Sequence, residues 1–464
     1  MTSRTDASAH GGAGPAPVLM KGNEAMAEAA IQAGCDAYFG YPITPQAELL
    51  EWMARRMPEE GRVFVQAESE IGAINMALGA AATGARVLVS TSGPGFSLMA
   101  EGMSYLAGAE LPVVVIDVMR GGPGLGSIGP SQSDYLQATR GHGHGDYRVP
   151  VLAPASIAEA VELVADAFSL AERYRTPTII LADGIIGQAM EPVVPTFRNP
   201  PRITSSWSTT GADGRPPRAL HSLHLQPEEL ETHDRHLQAK YAAITEREVR
   251  WASEGLDGAE LLIVAYGTAA RVAQTAIERG RDSGLRVGLL RPITLWPFPV
   301  EALARAARQV RAVVVIELSA GQLAEDVRLA VGATKPVLVH GRMGGMVPTP
   351  GEVVDVLRSA WSAGVPFRGG HRNGGRRGME DDPAATTPTP ALTAEPGHAG
   401  SVGGPATHGS EPAVALLTSV PEPDPFSLLE EGAWRAAMGQ APPEPADEDD
   451  PLDILVHGQP EAVR

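Results

Sequence analysis

Short apolar runs alternate with longer amphipathic segments along most of this chain, the pattern of a parallel sheet with helices on both faces. A first helix is expected with Asn23 as its cap and Gly34 as its stop, then a strand over 36–39, a helix over 45–56, a strand over 63–66 and a helix that starts at Glu70. Strands over 86–90 and 112–119 flank a helix over 96–107. Ser156 and Glu159 form a capping box ahead of Ile157, Val161, Val164, Phe168 and Ala171 at helical spacing, and a strand over 178–181 follows. These elements make one doubly wound α/β domain over 18–195. Prolines and polar residues interrupt the rhythm over 196–257, which is expected to be a linker and surface excursion ending in a helix near 237–251. A smaller α/β unit over 258–362 follows, with strands over 261–265, 286–290, 313–317 and 336–340 and helices over 269–283 and 300–309.

Residues 1–17 and the Gly/Pro-rich, acidic tail 363–464 carry no pattern that could build a core and are expected to be largely disordered. Within the tail, Asp424-Pro425 can start a helix carrying Phe426, Leu429, Trp434 and Met438, stopped by Gly439. At 464 residues with 43% hydrophobic content the rest is long enough for two or three cored domains. A formal net charge of −18 argues against nucleic acid or an anionic membrane as partner. The single cysteine, Cys35, excludes a disulfide framework and any cysteine-ligated iron–sulfur cluster held by this chain alone. The opening residues lack the apolar core of a secretion signal and no apolar run is long enough to span a membrane, so the expected location is the cytoplasm.

Chemistry concentrates between residues 38 and 99. A strand ends in Gly40-Tyr41-Pro42-Ile43-Thr44-Pro45, a carboxylate heads the small-residue segment EIGAINMALGAAATG at 70–84, and Thr91-Ser92-Gly93-Pro94-Gly95 follows one strand later. So much Gly and Ala implies something bulky lying close to the helix backbone, for which a planar heterocycle is the simplest candidate. A carboxylate in that apolar setting has its proton affinity raised and can share a proton with a ring nitrogen.

These phrases resemble the pyrimidine-binding domain of thiamine diphosphate enzymes such as the acetolactate synthases. They are still more similar to the alpha subunit of 2-oxoacid:ferredoxin oxidoreductases, through YPITP, QAESE at 66–70, INMALGA and MRGGPG at 119–124. The resemblance runs from about 21 to 346, more weakly over 200–255, and gives the second unit the character of a transketolase C-terminal-like domain. It implies that Glu70 binds the pyrimidine N1′ of thiamine diphosphate, with Tyr41, Pro42, Gly93 and Gly95 lining the cofactor. Glu68 competes for the role, but its distance to Gly79-Ala80 is two residues too long. Thr44-Pro45 is expected to be a Thr N-cap with Pro at the first helical position, an anion site where Thr44 contacts the carboxylate of a 2-oxoacid. Arg120, at a strand's carboxyl end, is expected to be a second carboxylate ligand.

Gly124-x-Gly126-x-x-Gly129 imitates a dinucleotide fingerprint. It is rejected because Pro130 follows, the segment 131–145 shows no helical apolar face, and no acidic residue ends a second strand at the required distance. His142, His144 and Asp146 in a Gly-rich loop are weak evidence for a metal, and none is expected. The chain lacks the Gly-Asp-Gly and downstream Asn with which thiamine enzymes hold diphosphate and Mg2+, so both are expected on a beta subunit. Iron–sulfur clusters are likewise expected on partners, with a separate gamma chain, coenzyme A and ferredoxin completing the system. The reaction implied is oxidative decarboxylation of a 2-oxoacid to acyl-CoA and carbon dioxide, with 3-methyl-2-oxobutanoate favoured and 2-oxoglutarate next. The alternatives are a non-oxidative thiamine diphosphate decarboxylase or synthase subunit, a nicotinamide-dependent dehydrogenase built on the Gly124 loop, and a non-catalytic scaffold subunit.

Overall fold

Burial alternates residue by residue along the central strands. Ala37, Phe39, Val87, Val89 and Val115 join one core with Ile74 and Ala77, while Tyr38, Leu88, Val114 and Ile116 join a second core on the opposite face. Both faces are covered, which is why these strands are apolar without interruption.

The computed structural model describes residues 16–362 except 142, 195, 196, 204 and 205, so the expectations for the tail and its helix from Asp424 fall outside the described residues. The chain opens with β1 (Val18–Lys21), α1 (Gly22–Gln32), β2 (Ala37–Gly40), α2 (Ala47–Glu59), β3 (Val63–Gln66), α3 (Glu70–Ala82) and β4 (Val87–Thr91). Next come α4 (Pro94–Leu98), α5 (Ala100–Gly108), β5 (Val114–Gly121), β6 (Ser127–Pro130), α6 (Tyr135–Arg140), β7 (Val151–Leu152), α7 (Ile157–Tyr174), β8 (Thr178–Asp183), α8 (Gly184–Gln188) and β9 (Met190–Val193). The remainder is α9 (Pro227–Arg247), β10 (Trp251–Glu254), β11 (Leu261–Val264), α10 (Gly267–Arg281), β12 (Val287–Pro292), β13 (Thr294–Trp296), α11 (Val300–Arg308), β14 (Ala312–Glu317), α12 (Gln322–Val331), β15 (Val337–Gly341) and α13 (Pro350–Ser362).

The larger sheet has eight strands in the order β13-β7-β8-β5-β4-β2-β3, with β6 folded back on β5 outside that order. Its strands are parallel except β13 and β6. The second sheet runs β10-β12-β11-β14-β15, with only β10 antiparallel. One core continues from α3 through both sheets to Leu303, Leu323 and Val327, and β13 crosses over to edge the larger sheet. In the larger sheet, the carboxyl ends of β2, β3, β4 and β5 therefore lead into the YPITP loop, Glu70, the TSGPG loop and Arg120, all at the edge where open α/β sheets bind ligands.

Several local expectations need correction. Asn23 lies inside α1, where its amide donates to Pro45 O (2.7 Å) and Glu48 Oε2 (2.9 Å) rather than capping the helix. Thr44 and Pro45 are not the start of α2, which begins at Ala47 behind Gln46, because the carbonyls of the preceding loop are bound to side chains from elsewhere. The helix expected over 96–107 is two helices that meet at Met99. The segment after Gly129 does contain a helix, α6, burying Tyr135, Ala138 and Thr139; at six residues it is too short to show a period. The helix expected over 237–251 starts earlier, at Pro227, with Glu228 and Glu229 in its first turn, and ends at Arg247, while Trp251 opens β10. Only Leu237, Tyr241 and Ile244 of that helix are buried, so its first half carries no apolar signal.

Candidate active site

Ser69 is extended and its hydroxyl accepts from Gly72 N (3.1 Å), which starts α3 at Glu70. That start separates the two candidate acids. Glu70 is 3% exposed, whereas Glu68 is exposed and folds back over Gly72. Burial raises the pKa of Glu70, opposed by its own backbone N–H and by Arg120. Among the described residues no other side chain hydrogen-bonds its carboxylate, so the proton-binding group remains available.

The TSGPG loop leans directly on this acid. A Cβ at Gly95 would overlap both Glu70 Oε1 and Thr91 Oγ1, and Gly93, at φ +45°, would press a Cβ within 3.2 Å of Arg120 Cγ. Gly95→Ala is expected to displace the Glu70 carboxylate and to slow any proton transfer that acid performs by up to about 10²-fold, the sensitivity of such chemistry to misplacement on the ångström scale. The check is the turnover of the purified protein, with circular dichroism confirming the fold.

The YPITP loop is held through its carbonyls. Arg120 Nη1 donates to Thr44 O (2.9 Å) and Nη2 to Leu125 O (3.1 Å). Gln46 Nε2 donates to Tyr41 O (3.1 Å), and Gln46 Oε1 accepts from Ser90 Oγ (2.7 Å), itself hydrogen-bonded to Tyr38 OH (2.7 Å). Asn23 and Gln188 both donate to Pro45 O (2.7 Å). Thr44, Tyr41 and Pro42 stand exposed on this fixed loop. Arg120 thus joins Thr44, Gly93 and the Gly-rich hairpin, while Asn23, Gln46, Ser90 and Gln188 support the site without having been singled out for it.

Beyond Arg120 opens a cavity of about 850 Å³, lined in part by Pro94, Leu125, Asp134, Leu318 and Met343. Its far wall belongs to the loop after β14, tied to the first sheet by reciprocal bonds between Gln132 and Leu318 (both 2.9 Å) and by Ser131 Oγ donating to Leu318 O (3.0 Å). Among the described residues lining this cavity, Arg120 is the one cation. The buried Thr91 Oγ1, Ser92 Oγ and Arg120 Nε have no hydrogen-bond partner among the described residues. Asp117 lies unexposed in the middle of apolar β5, where burial, with the nearby charge of Asp134 adding to it, raises its carboxyl pKa.

The remaining motifs fall elsewhere. Gly126 precedes β6 and Gly129 lies within it, and β6 pairs antiparallel with β5, so this Gly-rich stretch presents no helix N-terminus to a dinucleotide phosphate. Cys35 is buried and its thiol pKa is pushed up to about 12 by burial. His142 lies outside the described residues; among the described ones no three His, Cys, Asp or Glu side chains gather where they could hold a metal ion. Nor is any described helix long and apolar enough to cross a membrane.

Residues 28–248 match the family of pyruvate flavodoxin/ferredoxin oxidoreductase thiamine diphosphate-binding domains, and 259–353 match core domain II of pyruvate:ferredoxin oxidoreductase. The chain is 49% identical over 341 residues to the ketoisovalerate oxidoreductase subunit VorB of Methanothermobacter marburgensis, covering 73% of this chain and 96% of that one. It is 39% identical over 314 residues to the 2-oxoglutarate synthase subunit KorA of Archaeoglobus fulgidus, covering 67% and 90% respectively. A solved 2-oxoglutarate:ferredoxin oxidoreductase from Magnetococcus marinus, with 2-oxoglutarate, coenzyme A and succinyl-CoA bound, superposes with a TM-score of 0.67 at 28% identity. That match covers 74% of this chain and 65% of the other, so the chain spans just under two thirds of its length.

Proposed function

The chain belongs to the 2-oxoacid:ferredoxin oxidoreductase family, and from that premise we propose that it is the alpha subunit, carrying the pyrimidine half of a thiamine diphosphate site and the anion contacts of the substrate. The observation that carries this reading is the Glu70 carboxyl, buried and proton-avid at the head of α3 and pressed against Gly95. The residues fit the pyrimidine half: an acid with no competing side-chain partner, a glycine where a Cβ would intrude, and two buried hydroxyls, Thr91 and Ser92, left unpaired. When bound, thiamine diphosphate supplies the carbon nucleophile and the electron sink for decarboxylation.

Glu70 holds and returns a proton at the pyrimidine N1′. Tyr41, Pro42, Gly93 and Gly95 border the ring. Arg120, already pinned by two carbonyls, presents its guanidinium to the substrate carboxylate beside Thr44. Diphosphate and Mg2+ are assigned to a beta subunit, and iron–sulfur clusters to partner chains that pass electrons to ferredoxin, with coenzyme A as acyl acceptor and a separate gamma chain, all in the cytoplasm.

The substrate assigned is a monocarboxylic, branched 2-oxoacid of the 3-methyl-2-oxobutanoate type. Once its carboxylate occupies Arg120, the cavity lining of Leu125, Leu318 and Met343 offers apolar contact and no second cation for the distal carboxylate of 2-oxoglutarate. Acyl-CoA formation by the purified complex, compared over pyruvate, 2-oxoglutarate and 3-methyl-2-oxobutanoate, tests this. The highest kcat/KM is expected for 3-methyl-2-oxobutanoate. Preference for 2-oxoglutarate would overturn the substrate assignment, and absence of any acyl-CoA would overturn the reaction.

A further inference from the structure

The Gly124-x-Gly126-x-x-Gly129 stretch presents no dinucleotide site, yet its glycines are placed with care. It forms the turn and return strand of the β5–β6 hairpin, in which Arg120 pairs with Pro130 and Gly121 with Ser127. The base of this hairpin is fixed from two sides. From within, a Cβ on Gly126, at φ +56°, would overlap Gly121 O, so the turn closes only on glycine. From outside, the loop between β15 and α13 lies against the hairpin backbone to backbone: a Cβ on Gly121 would meet Gly344 C at 2.9 Å, and one on Gly129 would meet Gly345 Cα at 2.8 Å. That loop is itself tied down, by Arg342 N donating to Glu317 O (3.1 Å) and Arg342 Nη1 donating to Glu352 Oε1 (2.6 Å).

The tip of the hairpin is bare by contrast. Nothing lies within 4 Å of where a Cβ on Gly124 would stand, and Leu125, which borders the large cavity, is 80% exposed. What holds Leu125 is its carbonyl, which accepts from Arg120 Nη2 (3.1 Å). A guanidinium has more N–H groups than the carbonyls of Thr44 and Leu125 use, so Arg120 keeps donors for a ligand while it holds this residue.

Resting on the function proposed above, we propose that Leu125 is the specificity-determining residue for the substrate side chain, because its own carbonyl and the 2-oxoacid carboxylate share Arg120. A carboxylate that accepts from the same guanidinium comes to rest beside Leu125 O. The side chain of a 2-oxoacid begins at the second carbon from its carboxylate, and the branch of 3-methyl-2-oxobutanoate therefore emerges against the leucine. Covering an apolar side chain that otherwise stands in water is favourable in proportion to the area covered, and pyruvate, with a single methyl, covers less of it. A leucine already immobilised through its backbone also loses little freedom when it is covered. The distal carboxylate of 2-oxoglutarate would instead lose water against the leucine without gaining a cation.

The test is acyl-CoA formation by the assembled complex over the three oxoacids, with the parent chain compared with Leu125→Ala, Leu125→Met and Leu125→Lys. Leu125→Ala should lower the ratio of kcat/KM for 3-methyl-2-oxobutanoate to that for pyruvate by about tenfold, the low end of what a methylene in an apolar pocket discriminates, since Leu318 and Met343 keep part of the contact. Leu125→Met restores the apolar volume and should recover most of that ratio. Leu125→Lys supplies a second cation and should raise kcat/KM for 2-oxoglutarate relative to 3-methyl-2-oxobutanoate by about tenfold or more. A merely structural role would lower all three substrates together and leave the ratios in place. Unchanged ratios in Leu125→Ala overturn the proposal, and so does failure of that variant to assemble, which would make Leu125 a subunit contact. A parent complex that forms no acyl-CoA, or that prefers 2-oxoglutarate, would overturn the reading on which the proposal rests.

Discussion

Glu70→Gln is expected to lower the rate of C2-proton exchange in the bound cofactor by about 10²- to 10⁴-fold, the usual worth of a positioned general acid–base group, while the complex still assembles. Glutamine matches the carboxylate in size but cannot take up and return a proton. The comparison variant is Glu68→Gln, expected to be mild because Glu68 is exposed and lies over Gly72 rather than against Gly95. NMR of the exchange isolates this step from substrate binding and electron transfer. The sign of the stability effect adds a second readout. Burial raises the pKa of the Glu70 carboxyl above its ordinary value, so the native state binds more protons than the unfolded state between those two values and stability is lost as pH rises through them. Glu70→Gln removes that loss, and its thermal midpoint near neutral pH should be no lower than that of the parent chain. If Glu68→Gln stopped exchange and Glu70→Gln did not, the assignment would be wrong by two residues; if neither did, the thiamine reading of α3 would fail.

The acid at the centre of this expectation was legible because its signals are local. A carboxylate at a strand-to-helix junction, a helix of small residues and a Gly-rich turn one strand later are all contiguous phrases, and parallel strands bring their carboxyl ends to one edge without further information. Arg120 could be placed for the same reason. What supports these residues was less visible, since Asn23, Gln46 and Gln188 reach the YPITP loop from three separate elements. Thr44 shows the consequence: Thr-Pro ahead of an apolar-periodic stretch favours a helix start, but tertiary hydrogen bonds to the loop carbonyls override that preference and delay α2 to Ala47. Asp117 did carry a signal, a lone charge within the apolar run of β5; Asp134, in a polar segment, carried none. Strand β13 could not be expected on the larger sheet from its position in the second half of the chain, because antiparallel pairing with β7 depends on how the two halves pack.

Arg120→Met should raise the KM for the 2-oxoacid by about 10²-fold or more, since two hydrogen bonds from a charged donor contribute roughly 1.5–3 kcal/mol each. The methionine stem keeps most of the apolar contact with the TSGPG loop, so the loss is chiefly the guanidinium. The carbonyls of Thr44 and Leu125 lose their donor, but both bonds are exposed and water can replace it. The fold should therefore persist, and the remaining ties at Tyr41 O and Pro45 O should hold the YPITP loop. Arg120→Lys is the informative intermediate: it restores a positive charge without the planar fork, so it should recover part of the affinity but not all of it. Cofactor C2-proton exchange separates the roles, because it needs Glu70 and no substrate carboxylate. Exchange within a few-fold of the parent, combined with a large KM increase, assigns Arg120 to the substrate. An unchanged KM would remove Arg120 from the carboxylate site, and loss of exchange in Arg120→Lys would make it a support of Glu70 instead.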